Sequence, residues 1–225
     1  MRDFVTYLTR RVERLENIKV LLNTPAEKEL VAAEKPDLIV CATGSKIVTP
    51  NIPGLLDNLA RGNIMTADGV IANVLDGSFS VDMSGKKAVI IGGGATGLDL
   101  VECFANKGAD VTVVEMMDVL GNGMDLVSKV SINNLMRDKH VKQMTGTKLL
   151  EVKEHSFVTD AGELPFDYGC VCLGLKSYNP LSDEMSDVAK TVAVGDAKLA
   201  PRQIIDGTME GRQILNTIEA MGYLD

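Results

Sequence analysis

Lys87-Ala88-Val89-Ile90-Ile91 runs directly into Gly92-Gly93-Gly94-Ala95-Thr96-Gly97. An amphipathic stretch follows to Lys107-Gly108, and Asp110-Val111-Thr112-Val113-Val114-Glu115 closes the segment. The order reads as strand, glycine turn, helix, and a second strand ended by an acid. A dinucleotide site needs that order. Gly92 permits the tight turn, Gly94 lets the backbone approach a pyrophosphate, and Gly97 lets helix and strand pack closely. Gly92, Gly93, Gly94, Ala95, Thr96 and Gly97 are therefore the candidate cofactor contacts, with the free N–H groups and partial positive charge of the helix start facing the phosphates. Glu115 lies 23 residues after Gly92, where a carboxylate can accept both ribose hydroxyls of an adenosine. A tight βα turn in another α/β protein would share the glycines, and Glu115 could simply end a strand. The apolar strand before the turn and the acid after it favour the dinucleotide reading.

Outward from this unit, composition narrows the class. The 225 residues suffice for one large domain or two small ones. A net charge of −8 argues against a nucleic-acid partner, since phosphate binding needs a basic surface. No apolar run has the length of a membrane span, and the charged N-terminus lacks a signal-peptide core. The expectation is a cytoplasmic protein. Aromatic content is 4% with no Trp, so the core must be built from aliphatic residues and Met. Cys41, Cys103, Cys170 and Cys172 form no CxxC pair and read as free buried thiols. His140 and His155 are solitary, and no metal site is expected.

The periodicity predicts a helix over Asp3 to Leu15, a short strand from Ile18 to Leu22, a short helix ending near Lys35, and an apolar strand Leu38 to Ala42 ending at Thr43-Gly44. Residues 45 to 84 read as irregular. A helix is expected near Asp125 to Lys139, strands at Val141 to Met144 and Lys148 to Glu154, and a hairpin over Ser156 to Pro165. Residues 36–50 (PDLIVCATGSKIVTP) also echo 166–180 (FDYGCVCLGLKSYNP) without gaps, matching Asp37/Asp167, Gly44/Gly174, Lys46/Lys176 and Pro50/Pro180. The echo suggests two related nucleotide-binding folds, one interrupting the other. The outer fold resumes at Thr191 to Asp196, and a final helix is expected from Ile204 to Met221.

In this order the chain resembles the two-dinucleotide flavoprotein reductases, and within them the C-terminal FAD/NAD(P) portion of the NADH:flavin oxidoreductases of the 2,4-dienoyl-CoA reductase and old yellow enzyme-like group. Cys41-Ala42-Thr43-Gly44, the Gly92–Gly97 turn with Glu115, Leu173-Gly174-Leu175-Lys176 and Val194-Gly195-Asp196 carry the resemblance. It implies an α/β architecture: a Rossmann-like NAD(P)-binding domain inserted in a truncated FAD-binding domain of related fold. The boundaries read as 1–53 for the partial FAD lobe, 54–84 for a crossing linker, 85–165 for the NAD(P) domain and 166–225 for the return to the FAD lobe. It further implies that Thr43-Gly44 lies at the lobe crossing, that Thr43, Gly44, Gly174, Gly195 and Asp196 are cofactor-binding residues, and that Asp196 and the Gln203-Ile204 region face FAD. On residues alone, Asp196 could equally cap a turn.

Two departures qualify the resemblance. The FAD-binding glycine turn should stand well upstream of Thr43-Gly44, yet the first element is already a helix, so the chain reads as a fragment cut within the FAD lobe. The stretch Ser78 to Gly85 also lacks the redox cysteine pair of the dithiol reductases. The expected activity is hydride transfer from NADH, with NADPH disfavoured by Glu115, to FAD. Onward transfer would use an iron–sulfur (4Fe-4S) cluster and FMN on an N-terminal barrel domain outside this chain. No catalytic side chain is named, because the cofactors carry the chemistry. The alternative is a non-enzymatic NAD(H)-binding module. A dehydrogenase with substrate chemistry in 120–190 is weaker, lacking a Tyr-Lys or His-acid pair. The uncovered apolar face of the partial lobe raises the prospect of a homo-oligomer.

Overall fold

The computed structural model describes residues 2–80, 82–201 and 203–222. Helices α1 (Arg2–Glu13) and α2 (Lys28–Glu34) precede the strands β1 (Leu38–Cys41) and β2 (Ser45–Ile47). The segment from 55 to 75 holds α3 (Leu55–Ala60), β3 (Ile64–Thr66) and α4 (Ala67–Leu75). Then come β4 (Lys87–Ile91), α5 (Ala95–Asn106), β5 (Asp110–Val114), α6 (Leu126–Asp138) and β6 (Lys142–Met144). An antiparallel three-stranded sheet follows, β7 (Leu149–Lys153), β8 (Ser156–Thr159) and β9 (Gly162–Pro165). The chain ends with β10 (Tyr168–Val171), β11 (Leu175–Ser177), α7 (Leu181–Glu184), β12 (Lys190–Ala193), a 3-10 turn Gly195–Ala197, α8 (Ile204–Arg212) and α9 (Ile214–Ala220).

The central sheet is parallel with strand order β3-β10-β4-β5-β6. Alternation along β4 explains its unbroken apolar run. Ala88 and Ile90 enter one core with Leu98, Val101 and Phe104 of α5 and Met136 of α6. Val89 and Ile91 enter a second core with Val152, Phe157 and Phe166 from the three-stranded sheet and its exit. A parallel strand covered on both faces is apolar at every position. Chain order reverses between β4 and β10, and their C-terminal ends open the crevice where open α/β sheets bind ligands.

Several expectations are corrected. The supposed linker 54–84 is folded into the sheet: Ile64 of β3, Leu55 of α3 and Val70 of α4 are buried, and β3 pairs with β10. Short apolar elements among Gly, Pro and Asn look like loop until a distant strand pairs with them. The return to the outer lobe does not begin at 166, because β10 lies in the middle of the inner sheet, with Cys170 facing Ile90 and Met65. No strand forms at Ile18 to Leu22, where the side chains are exposed and no strand among the described residues pairs with them. The final helix is interrupted at Gln213, which ends α8 and precedes α9. Helix α1 and the hairpin β8–β9 match their expected positions.

The internal echo has a structural counterpart. β2 and β11 pair antiparallel with Lys46 opposite Lys176, the two positions that align in the repeat. The Val48 N–H donates to Gly174 O at 2.9 Å and the Tyr178 N–H to Gly44 O at 3.1 Å. Residues 44/174 and 48/178 are aligned positions as well, so the bonds are exchanged by a local two-fold axis through the Lys46–Lys176 pair. Gly44 and Gly174 share a left-handed backbone, at φ +77° and +93°. Outside the central sheet, β1 pairs in parallel with β12, a two-stranded sheet among the described residues.

Candidate functional site: a glycine turn at the sheet crevice

Gly92 leaves β4 at φ +103°, and its N–H donates to Val114 O at 2.8 Å, tying the turn to the end of β5. A Cβ at Gly97 would lie 1.8 Å from Gly92 O, so the first turn of α5 rests directly on the backbone of the preceding turn. A Cβ on Gly93 would meet Leu120 at 2.3 Å. Gly94 differs from both: it is exposed, has ordinary backbone angles, and a Cβ there would meet nothing within 4 Å. No packing within the chain explains a glycine at Gly94, whereas close approach by an external group does. Gly94 is also the N-cap of α5 and makes no side-chain capping bond, leaving the N–H groups of the exposed Ala95 and Thr96 toward the open side.

The Glu115 carboxylate is already positioned. Its Oε2 accepts the Gly93 N–H at 2.7 Å and its Oε1 accepts the Met117 N–H at 2.9 Å. Each oxygen retains a lone pair for a hydroxyl donor. The loop after Glu115 closes over the turn, with the Gly121 N–H donating to Gly93 O at 2.7 Å. Sequence reasoning missed Met117, Leu120 and Gly121, since nothing in their residue types marks contact with a glycine turn.

Below the turn, Cys172 O would stand 2.1 Å from a Cβ on Gly92. Burial, with Asp68 and Asp99 nearby, pushes the Cys172 thiol up to about 12. Burial also raises Cys170 and Cys103, so none of these thiols favours the thiolate. Burial and the neighbouring Glu102 hold Asp99 above the usual carboxylate range. The four cysteines are free. Among the described residues no cluster of three or more potential ligands could hold a metal ion, and no helix is long and apolar enough to cross a membrane.

The other expected residues gather at the lobe crossing. The Thr43 hydroxyl donates to Tyr178 O at 2.5 Å, and Ser45 Oγ donates to Asp196 Oδ2 at 3.0 Å. Glu210 of α8 accepts the Gly195 N–H at 2.6 Å and pairs with Lys198 at 3.3 Å. Thus Thr43, Gly44, Gly174, Gly195 and Asp196 are joined through Ser45, Tyr178 and the β2–β11 ribbon. Ser45 and Glu210 were not foreseen. Ser45 stands inside the repeat and could have been noticed there; Glu210 carries no sequence signal.

The family model for pyridine nucleotide-disulphide oxidoreductases matches residues 4–194, most of the chain. The chain belongs to this family. Curated relatives include an NADH oxidase of Thermoanaerobacter brockii, 28% identical over 88% of this chain and 30% of that protein. A bilirubin reductase of Mediterraneibacter gnavus is 26% identical over 78% of this chain and 26% of its own length. Among solved structures, a 2-naphthoyl-CoA reductase superposes with a TM-score of 0.75 at 25% identity, covering 95% of this chain and 31% of that one. The chain therefore spans less than a third of these relatives. As a member it is a pyridine nucleotide oxidoreductase module of Rossmann-like α/β fold, and the family implies NAD(P)H and FAD.

The residues present fit those two groups unequally. For the nicotinamide dinucleotide, the open space at Gly94, the uncapped start of α5 and the Glu115 carboxylate held by two N–H groups are compatible in kind with the ADP half. For FAD, the Gly195–Asp196 turn and the Thr43-Gly44 crossing are assembled, but Gly92–Gly97 is the sequence's single GxGxxG. A second phosphate cradle of that type is not encoded in these 225 residues.

Proposed function

We propose that this chain is the NADH-binding electron-transfer module of a flavoprotein oxidoreductase resembling the 2,4-dienoyl-CoA reductase group. When bound, the nicotinamide supplies a hydride that the flavin accepts. The chain's own residues bind and orient. The α5 N-terminus and the Gly94 backbone hold the pyrophosphate, and Glu115 accepts the adenosine ribose hydroxyls. The observation carrying this reading is the exposed Gly94, with open space where a side chain would stand, beside a carboxylate already fixed by two N–H groups. Residues 43–44, 174 and 195–196 are assigned to the flavin side. The FMN and iron–sulfur cluster of the longer enzyme type lie outside this chain, as does its barrel domain. A cytoplasmic location accords with four unpaired thiols.

Titration with each nucleotide tests the assignment. NADH is expected to bind at least tenfold more tightly than NADPH, because a 2′-phosphate would sit against Glu115 with no Lys or Arg before Lys129 to offset it. Glu115→Arg should shift the preference toward NADPH. Tighter NADPH binding by the unaltered chain, or no binding of either nucleotide, sinks the reading.

The single GxGxxG favours a second reading, a nucleotide-binding module without flavin turnover. Purified protein is expected to be colourless. Losing the glycine-turn contacts to the FAD phosphates removes several charge-assisted hydrogen bonds worth roughly 1.5–3 kcal/mol each. At about 1.4 kcal/mol per tenfold, half that total moves a sub-micromolar site to millimolar. Visible absorbance of the purified protein decides. Stoichiometric FAD that NADH bleaches would overturn this expectation and establish the flavin reaction in the chain itself.

A further inference from the structure

The peptide bond between Gly93 and Gly94 is held from one side only. Its carbonyl, Gly93 O, accepts the Gly121 N–H at 2.7 Å. In a trans peptide the N–H points opposite to the C=O, so this bond turns the Gly94 N–H away from the loop after β5. Gly94 is exposed, and its N–H donates to no group among the described residues. Nothing in the glycine turn itself fixes that orientation. A half-turn of the peptide plane rotates only ψ of Gly93 and φ of Gly94. It would carry Gly94 from φ −72° to the positive side, which glycine adopts readily. The flipped peptide would turn a carbonyl oxygen outward, toward any approaching anion. It would also strand the N–H of Gly121, a buried residue, without its acceptor.

The loop that makes this bond is itself fixed. Met117 O accepts the Gly146 N–H at 2.9 Å, and Gly121 O accepts the Met124 N–H at 3.1 Å. Leu120 Cδ2 would stand 2.3 Å from a Cβ on Gly93, so the loop packs directly on the turn. Gly121 sits at φ +65°, and a Cβ there would lie 3.1 Å from Met124 Sδ. We propose that Gly121 is a positioning residue of the nucleotide site: its N–H latches the Gly93–Gly94 peptide with the Gly94 N–H outward, ready to donate to a pyrophosphate oxygen. This role rests on the dinucleotide reading and assigns control of one donor to a residue outside the glycine turn.

Amide exchange followed by nuclear magnetic resonance, beside ligand titration, tests the role on the full chain. In the free protein the Gly121 amide should be protected from exchange and the Gly94 amide should not. NADH or inorganic pyrophosphate should then protect Gly94. Gly121→Val places a β-branched residue on a left-handed backbone. It is expected to weaken NADH and pyrophosphate roughly ten- to a hundredfold, the effect of one charge-assisted hydrogen bond. Adenosine, whose ribose addresses Glu115 alone, should bind Gly121→Val as it binds the parent. Gly121→Asn tolerates this backbone beside the adaptable Met124 and should restore NADH binding. Equal loss of adenosine affinity in Gly121→Val would mean that the loop serves Glu115 or the fold, and would overturn the role. A freely exchanging Gly121 amide, or a Gly94 amide protected before nucleotide is added, would overturn it without recourse to a variant that fails to fold. A parent that binds neither NADH nor pyrophosphate sinks the dinucleotide reading as well. A parent that binds both, beside an unaffected Gly121→Val, sinks the latch alone.

Discussion

Gly97→Ala will lower the melting temperature by roughly 10 °C, and Gly97→Val will abolish the cooperative transition. The added Cβ would stand 1.8 Å from Gly92 O and 2.9 Å from its carbonyl carbon. Both are backbone atoms, so no rotamer relieves the overlap. Gly92 cannot retreat: its own Cβ position is 2.1 Å from Cys172 O, and its N–H is bound to Val114 O. Helix α5 cannot rise either without uncovering Leu98, Val101 and Phe104, each at most 1% exposed. Overpacking costs about 1–3 kcal/mol, occasionally more, and about 3 kcal/mol shifts a chain of this size by roughly 6–12 °C. Calorimetry measures this directly. Melting of Gly97→Ala within about 2 °C of the parent would mean that α5 does not rest on the turn as described.

Three residues earlier the same kind of change should do the reverse. Gly94→Val is expected to weaken NADH binding at least a hundredfold while leaving the fold intact. Its side chain enters open space at an ordinary backbone geometry, so the free protein should keep its stability to within about 1 kcal/mol. The space it fills is where the proposed function puts the pyrophosphate against the backbone. Two lost charge-assisted hydrogen bonds, at about 1.5–3 kcal/mol each, correspond to a hundredfold or more. Nucleotide titration beside a melting curve separates the roles. An unfolded Gly94→Val protein would make this glycine structural, and undiminished binding would place the phosphates elsewhere.

The unit from Lys87 to Glu115 was legible because its chemistry is local: glycines, helix start and acid act within one βαβ segment. The placement of Tyr168–Val171 was not. An apolar tetrapeptide reads the same whichever sheet takes it, and its two neighbours, β3 and β4, begin 104 and 81 residues earlier in the chain. Ile64 and Val70 were hidden similarly, since three- and nine-residue elements are set by burial against distant strands. At the lobe crossing the repeat identified the aligned glycines and lysines, which the structure pairs by a local two-fold. It could not reveal Ser45 bonding Asp196 across 151 residues, nor Glu210 reaching back to Gly195. Side-chain bonds of that kind leave no periodicity to read.

The Glu115 carboxylate has a consequence for how this site can evolve. The same two oxygen atoms that are proposed to accept the ribose hydroxyls also tether Gly93 and Met117. Selectivity and scaffold are therefore inherited together. A basic replacement gives a 2′-phosphate a partner but releases two backbone donors, so NADH affinity should fall further than NADPH affinity rises. A complete exchange of coenzyme preference requires a second substitution, one that returns an acceptor to the Gly93 and Met117 amides.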